Sequence, residues 1–154
     1  MNDPQPCASP PSPLAEGTVF AGRYRLGKAV GAGGMGVVYE AFRGAPEERL
    51  ALKVLHRHLV SNRQVTARFY REARLLSRLS GERLVELRDF GEDEAGRLFM
   101  ALTFVEGEAL DQHIAGRGPL PVERAAALVG EICEALMLMR FSKIRYSRSL
   151  RRSC

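Results

Sequence analysis

The sequence predicts an α+β fold: five strands with one helix inserted after the third, and further helices at the end. Three observations carry this. Five runs rich in β-branched, aromatic and other apolar residues have strand length, with Gly-rich or polar turns beside them. Between the third and fourth runs, Val65, Phe69, Leu76 and Leu79 recur at helical spacing. Beyond Gly107 the apolar pattern is helical as far as Leu136. There is no internal repeat.

Five of the eight prolines stand at positions 4, 6, 10, 11 and 13, so residues 1–15 are expected to form a disordered leader. After a short lead-in, Tyr24 to Val30 is the first strand and Val37 to Phe42 the second, connected by Gly31 to Gly36. Leu50 to Leu55, after the polar turn at Gly44 to Glu48, is the third. Ser61 or Asn62 can cap the helix that follows, which runs to about Leu79. Leu84 to Phe90 and Leu98 to Phe104 are the last two strands, joined by a turn near Asp93 to Gly96. A brief helix over Leu110 to Ala115 precedes a longer one starting near Pro121, a residue that a first helical turn accepts. Ala125, Leu128, Ile132 and Leu136 lie on one side of it.

The 154 residues are 45% hydrophobic and 27% charged, which fits a domain with a core and excludes disordered or collagen-like chains. The most apolar stretch, Ala125 to Met139, is interrupted by Glu131 and Glu134, so no membrane span is expected. Met1-Asn2-Asp3-Pro4 lacks a basic or apolar signal region, and Cys7, Cys133 and Cys154 are too scattered for a disulfide framework or a zinc site. A cytoplasmic location is therefore the expectation. The net charge of +5 is unevenly placed. Residues 137–154 hold six basic residues and no acid, which leaves 17 basic against 18 acidic residues in 1–136.

Three elements carry chemistry. The run Gly31-Ala32-Gly33-Gly34-Met35-Gly36-Val37-Val38-Tyr39 contains Gly-x-Gly-x-x-Gly-x-Val. Backbone without Cβ can approach a phosphate closely and aim N–H groups at it. A dinucleotide loop of the Rossmann type needs a helix to start at the glycines, whereas here Val37-Val38-Tyr39 continues as strand. The hairpin form is the one that folds over ATP, although a plain flexible hairpin tip has the same composition. Second, Lys53 shares a strand face with Ala51 and Leu55, and an ammonium between apolar neighbours needs an anion, unless it is an edge lysine reaching solvent. Third, Glu72 lies within the seam formed by positions 65, 69, 72, 76 and 79. A carboxylate there needs a partner; Lys53 is the obvious one, with a surface i,i+4 pair to Arg68 as the alternative.

With these residues in place the sequence resembles a protein kinase, of the bacterial type of serine/threonine kinase related to the eukaryotic family. The resemblance rests on Gly31, Gly33, Gly36 and Val38, on Ala51 and Lys53, and on Glu72 within Arg71-Glu72-Ala73. Phe104-Val105-Glu106-Gly107 resembles the hinge, with Leu102 at the gatekeeper position. It implies a kinase N-lobe over about 23–104, a five-stranded antiparallel sheet plus C-helix, then a hinge at 103–107 and the first helices of an incomplete C-lobe over 108–136. It further implies that Lys53 holds the α- and β-phosphates of ATP and pairs with Glu72. Gly31, Gly33, Gly34 and Gly36 cover the phosphates by the same resemblance. Val30, Val38 and Ala51 roof the adenine, backbone groups of Thr103 and Val105 bond its edge, and Leu76 and Leu87 join a hydrophobic spine. Thr103 replaces an acid common at that position, a change that backbone contacts tolerate.

The family's catalytic base and its Mg²⁺ ligands belong to His-Arg-Asp, an Asn and Asp-Phe-Gly motifs that follow the hinge. No such catalytic loop occurs in these residues, whose histidines are His56, His58 and His113. Asp89-Phe90-Gly91 spells the metal motif but precedes the hinge on a strand, so it is taken as a decoy and no metal ligand is assigned. The resemblance ends near Leu136. The basic segment 137–154 is expected to be disordered or out of frame, and the chain to be catalytically incomplete alone. Two other functions follow from the same residues: a non-catalytic module that engages a partner kinase, and, through the basic segment, a nucleic-acid binder. The protein substrate is not legible.

Overall fold

The computed structural model describes residues 14–79, 81 and 84–149, with side chains as far as Met137. In chain order the elements are β1 (Val19–Phe20), β2 (Tyr24–Ala32), β3 (Gly36–Arg43), β4 (Glu48–Leu55), a 3₁₀ turn (Arg57–Leu59), α1 (Arg63–Leu76), β5 (Leu87–Glu92), β6 (Leu98–Thr103), α2 (Leu110–Arg117) and α3 (Val122–Ser149). The sheet has six strands in the order β1-β2-β3-β4-β6-β5, every neighbouring pair antiparallel, so the expected five gain one. The added strand is two residues long, too short for alternation to register in a sequence. It is held by Val19 and Phe20 opposite Arg25 and Tyr24.

The two faces of the sheet do different work. Leu50, Leu52 and Val54 of β4 point one way, with Tyr39 and Ala41 of β3, Tyr24 and Leu26 of β2, and Phe99 and Ala101 of β6; all are buried in one cluster. Ala51, Lys53 and Leu55 point the other way, toward α1. There Leu55, Leu98 and Met100 bury against Phe69 and Ala73, with Leu76 and Leu87 packed alongside. Leu98, Phe99, Met100 and Ala101 are thus buried on both faces, which makes β6 the spine of the sheet.

Asn62 caps α1. Its side chain accepts from the N–H groups of Gln64 and Val65 at 3.0 and 3.3 Å, satisfying two donors that the first turn leaves over. Asn62→Ala is expected to lower stability by about 1 kcal/mol, measured as a shift in the urea midpoint at constant slope. The helix ends at Leu76 instead of Leu79, because the Ser77 hydroxyl bonds back to the Arg74 carbonyl at 3.1 Å. The next N–H groups, of Arg78 and Leu79, then close tighter i→i−3 bonds. β5 starts at Leu87 instead of Leu84, and β2 continues to Ala32 because Gly31 and Ala32 still pair with Val38 and Val37.

At the ends, residues 1–13 of the expected leader and 150–154 of the basic segment lie outside the described residues. Leu14 is already engaged: its N–H donates to the Tyr39 hydroxyl at 2.8 Å and its side chain packs on the core. Residues 137–149, expected to be disordered or out of frame, continue α3 as backbone past Leu136. They contain no Gly or Pro that would stop a helix. Among the described residues no helix is long and apolar enough to cross a membrane.

Candidate functional site

Strand register assembles the site. Gly31 lies opposite Val38, Val38 opposite Lys53, and Lys53 opposite Met100, one row across four strands. One step along, Ala51 lies opposite Leu102. Directly opposed residues of antiparallel strands share a face, so Val38, Ala51, Lys53 and Leu102 converge on the side that α1 covers. Lys53 Nζ lies 2.9 Å from Glu72 Oε1, and no ion pair joins Glu72 to Arg68. The two side chains are 23% and 39% exposed, screened but within reach of a ligand. Glu72 therefore occupies the apolar seam because Lys53 meets it there, as the spacing predicts.

A cleft of about 620 Å³ opens beside this row, a volume suited to a small-molecule ligand. Val30, Ala51, Leu102, Thr103 and Val105 line it, together with residues at the start of α2; Lys53 and the loop glycines stand outside its wall. The Thr103 N–H is committed to the Glu86 carbonyl at 3.0 Å. The Val105 N–H has no partner among the described residues. Arg49 braces this segment, donating to Glu40 at 2.6 Å and to Glu106 while its guanidinium sits 4.0 Å from the Phe104 ring centroid.

The glycines of the loop differ in what they are for. A Cβ on Gly36 would lie 2.1 Å from the Val54 carbonyl oxygen, so the fold itself requires glycine there. At Gly33 and Gly34 a Cβ would meet nothing within 4 Å, and neither has a positive φ. The fold makes no demand for glycine at these two positions, whereas a ligand approaching the backbone would.

Asp89-Phe90-Gly91 lies on β5, away from the cleft, and each of its residues has a structural task. Asp89 accepts from the Tyr24 hydroxyl, pairs with Arg23 at 2.8 Å and lies 3.6 Å from Arg43, tying β5 to β2 and β3 across the curl of the sheet. Phe90 meets Tyr70 of α1 edge to face, with centroids 5.4 Å apart. Gly91 leaves room for the Phe99 ring, whose atoms would lie 3.4 Å from a Cβ there. Among the described residues no three His, Cys, Asp or Glu side chains gather.

Burial pushes the Asp89 carboxyl up, but bonds from the Tyr24 hydroxyl, the Phe90 N–H and Arg23 together hold it below the usual carboxylate value. A depressed folded value means that the clasp stabilises fully above the unfolded value, about pH 4, and is lost as pH falls through the folded one. Stability in urea is expected to drop on acidification below about pH 4. Asp89→Asn should reduce that drop and cost roughly 2 kcal/mol at pH 7. An unchanged acid profile in the variant would remove the clasp from this account.

A protein kinase domain model matches residues 24–147. The chain belongs to the protein kinase family. Among its relatives, serine/threonine-protein kinase PknE of Mycobacterium tuberculosis is 41% identical over 121 residues, and serine/threonine-protein kinase pkn3 of Myxococcus xanthus 37% over 120. A crystal structure of the M. tuberculosis PknI kinase domain superposes with a TM-score of 0.70 at 34% identity, covering 82% of this chain and 51% of that one. The alignments take in 79% and 78% of this chain but 21% and 22% of the PknE and pkn3 chains, so this kinase chain spans about a fifth of their length and about half of a solved kinase domain. The match passes Leu136 by eleven residues.

Sequence reasoning missed two contributors to the site. Arg49 braces the segment after β6, and a lone arginine on a strand carries no signal of that. His56 contacts the glycine loop, as a histidine between Leu55 and Arg57 gives no hint of doing.

Proposed function

We propose that this chain is the nucleotide-binding lobe of a serine/threonine protein kinase, a family that transfers the γ-phosphoryl group of ATP to protein hydroxyls with Mg²⁺. The observation that carries the reading is the Lys53–Glu72 contact at 2.9 Å, set one row from the cleft. Lys53, oriented by Glu72, holds the α- and β-phosphates. Val30, Val38 and Ala51 cover the adenine, Leu102 backs it, and the Thr103 carbonyl and Val105 N–H bond its edge. Gly31, Gly33, Gly34 and Gly36 let the loop backbone close over the phosphates. Mg²⁺ supplies charge neutralisation in the complete reaction, and no residue described here is assigned to it.

Phosphoryl transfer is catalysed by positioning and by stabilising charge. These 154 residues contain no catalytic-loop base, so by themselves they should bind ATP weakly and turn over at background. A nuclear magnetic resonance titration of the chain with ATP tests this. Wild type should show shifts at the Gly33 and Val105 amides, and Lys53→Met should weaken binding about tenfold or more. Equal affinity in the two proteins, or Lys53-dependent turnover by the chain alone, would refute the corresponding half of the reading.

A further inference from the structure

The glycine-rich turn is gripped from β4's end by His56. The His56 backbone N–H donates to the Met35 carbonyl at 3.0 Å, and its ring Nε2 lies 3.0 Å from the Gly33 carbonyl oxygen. A carbonyl only accepts, so Nε2 carries the proton. The ring is half-buried and stacks on His58, with centroids 5.4 Å apart and planes within 18°.

These contacts restrain a segment that little else holds. Gly33 and Gly36 bond each other across the turn at 3.0 and 3.3 Å, but between them Gly34 makes no hydrogen bond within the described residues. Neither Gly33 nor Gly34 has a side chain to anchor the tip. The peptide group is planar and trans. Turning the Gly33 carbonyl toward His56 therefore turns the Gly34 N–H the opposite way, with no acceptor of its own.

We propose that His56 is a positioning residue: its ring N–H fixes the Gly33 carbonyl so that the Gly34 N–H stays turned out as a donor for a nucleotide phosphate. The inference rests on the nucleotide-binding reading above. Two variants separate the ring N–H from the ring. His56→Phe keeps the aromatic face for His58 and loses the donor, while His56→Gln puts an N–H at a similar reach.

The test compares wild type with both variants in thermal melting, in amide exchange at Gly36, whose N–H shares the Gly33 carbonyl, and in titration with ATP. His56→Phe is expected to speed Gly36 exchange and weaken ATP roughly two- to tenfold, with a melt close to wild type. His56→Gln is expected to restore both readings. Wild-type exchange and affinity in His56→Phe would overturn the proposal, as would equal losses in the two variants. If wild type itself fails to bind ATP, the nucleotide reading falls and the phosphate role of His56 with it; the Gly36 exchange then still shows whether the ring holds the turn.

Discussion

Gly36→Ala is expected to lower the unfolding free energy by roughly 3 kcal/mol, while Gly33→Ala and Gly34→Ala change it by less than about 0.5 kcal/mol. The added methyl at 36 meets backbone on every side: the Val54 carbonyl oxygen at 2.1 Å, its carbon at 3.0 Å and Leu55 Cα at 3.2 Å. A flexible side chain could swing aside, but β4 is paired on both edges and cannot. At 33 and 34 the same methyl enters open space. Its effect there falls on ligand approach, so both variants should weaken ATP while melting like wild type. Urea melts and ATP titrations on the same three proteins would show a crossed pattern. Equal melts for all three would mean that β3 and β4 do not approach as closely at Gly36 as described.

How legible the molecule is in its sequence depends on how local each signal is. Lys53 and Glu72 could be paired from spacing because each is a charge set among apolar neighbours, and such a charge advertises its need for a partner. Asn62 was readable as a cap because its role is settled within three residues. The helix end was not, since Ser77 decides it by bonding backward to Arg74. The curl of the sheet is non-local altogether: Tyr24 and Asp89 are 65 residues apart, and no periodicity in either strand announces that they meet. Position before the hinge was enough to set Asp89-Phe90-Gly91 aside as a metal motif, but only the three-dimensional structure gives its residues their tasks. The site followed the same division. Gly31, Val38, Ala51 and Lys53 were legible in motifs and Leu102 through the family resemblance, whereas their alignment across the strands and the hold of His56 on Gly33 depend on chain pairings that no motif encodes.

Phe99→Ala should be the most destabilising single substitution proposed here, at about 3–5 kcal/mol. That is a large part of the 5–15 kcal/mol typical of a domain. The ring is fully buried, packs edge-on against Phe20 and Tyr24 with both centroids at 5.5 Å, and lies 5.6 Å under the Arg23 guanidinium. It therefore joins β1 and β2 to β6, strands that share no hydrogen bonds in the sheet order, and its loss opens a cavity where the sheet curls. The effect should reach function, because Leu102 and Thr103 stand three and four residues further along the same strand and line the cleft. Phe90→Ala is the control. That ring is 39% exposed and touches Tyr70 at the surface, so its removal should cost under about 1 kcal/mol. If the two variants unfold at the same urea concentration, the closure of the sheet does not depend on Phe99, and the Asp89 clasp with Tyr24, Arg23 and Arg43 must hold β5 to β2 and β3 without it.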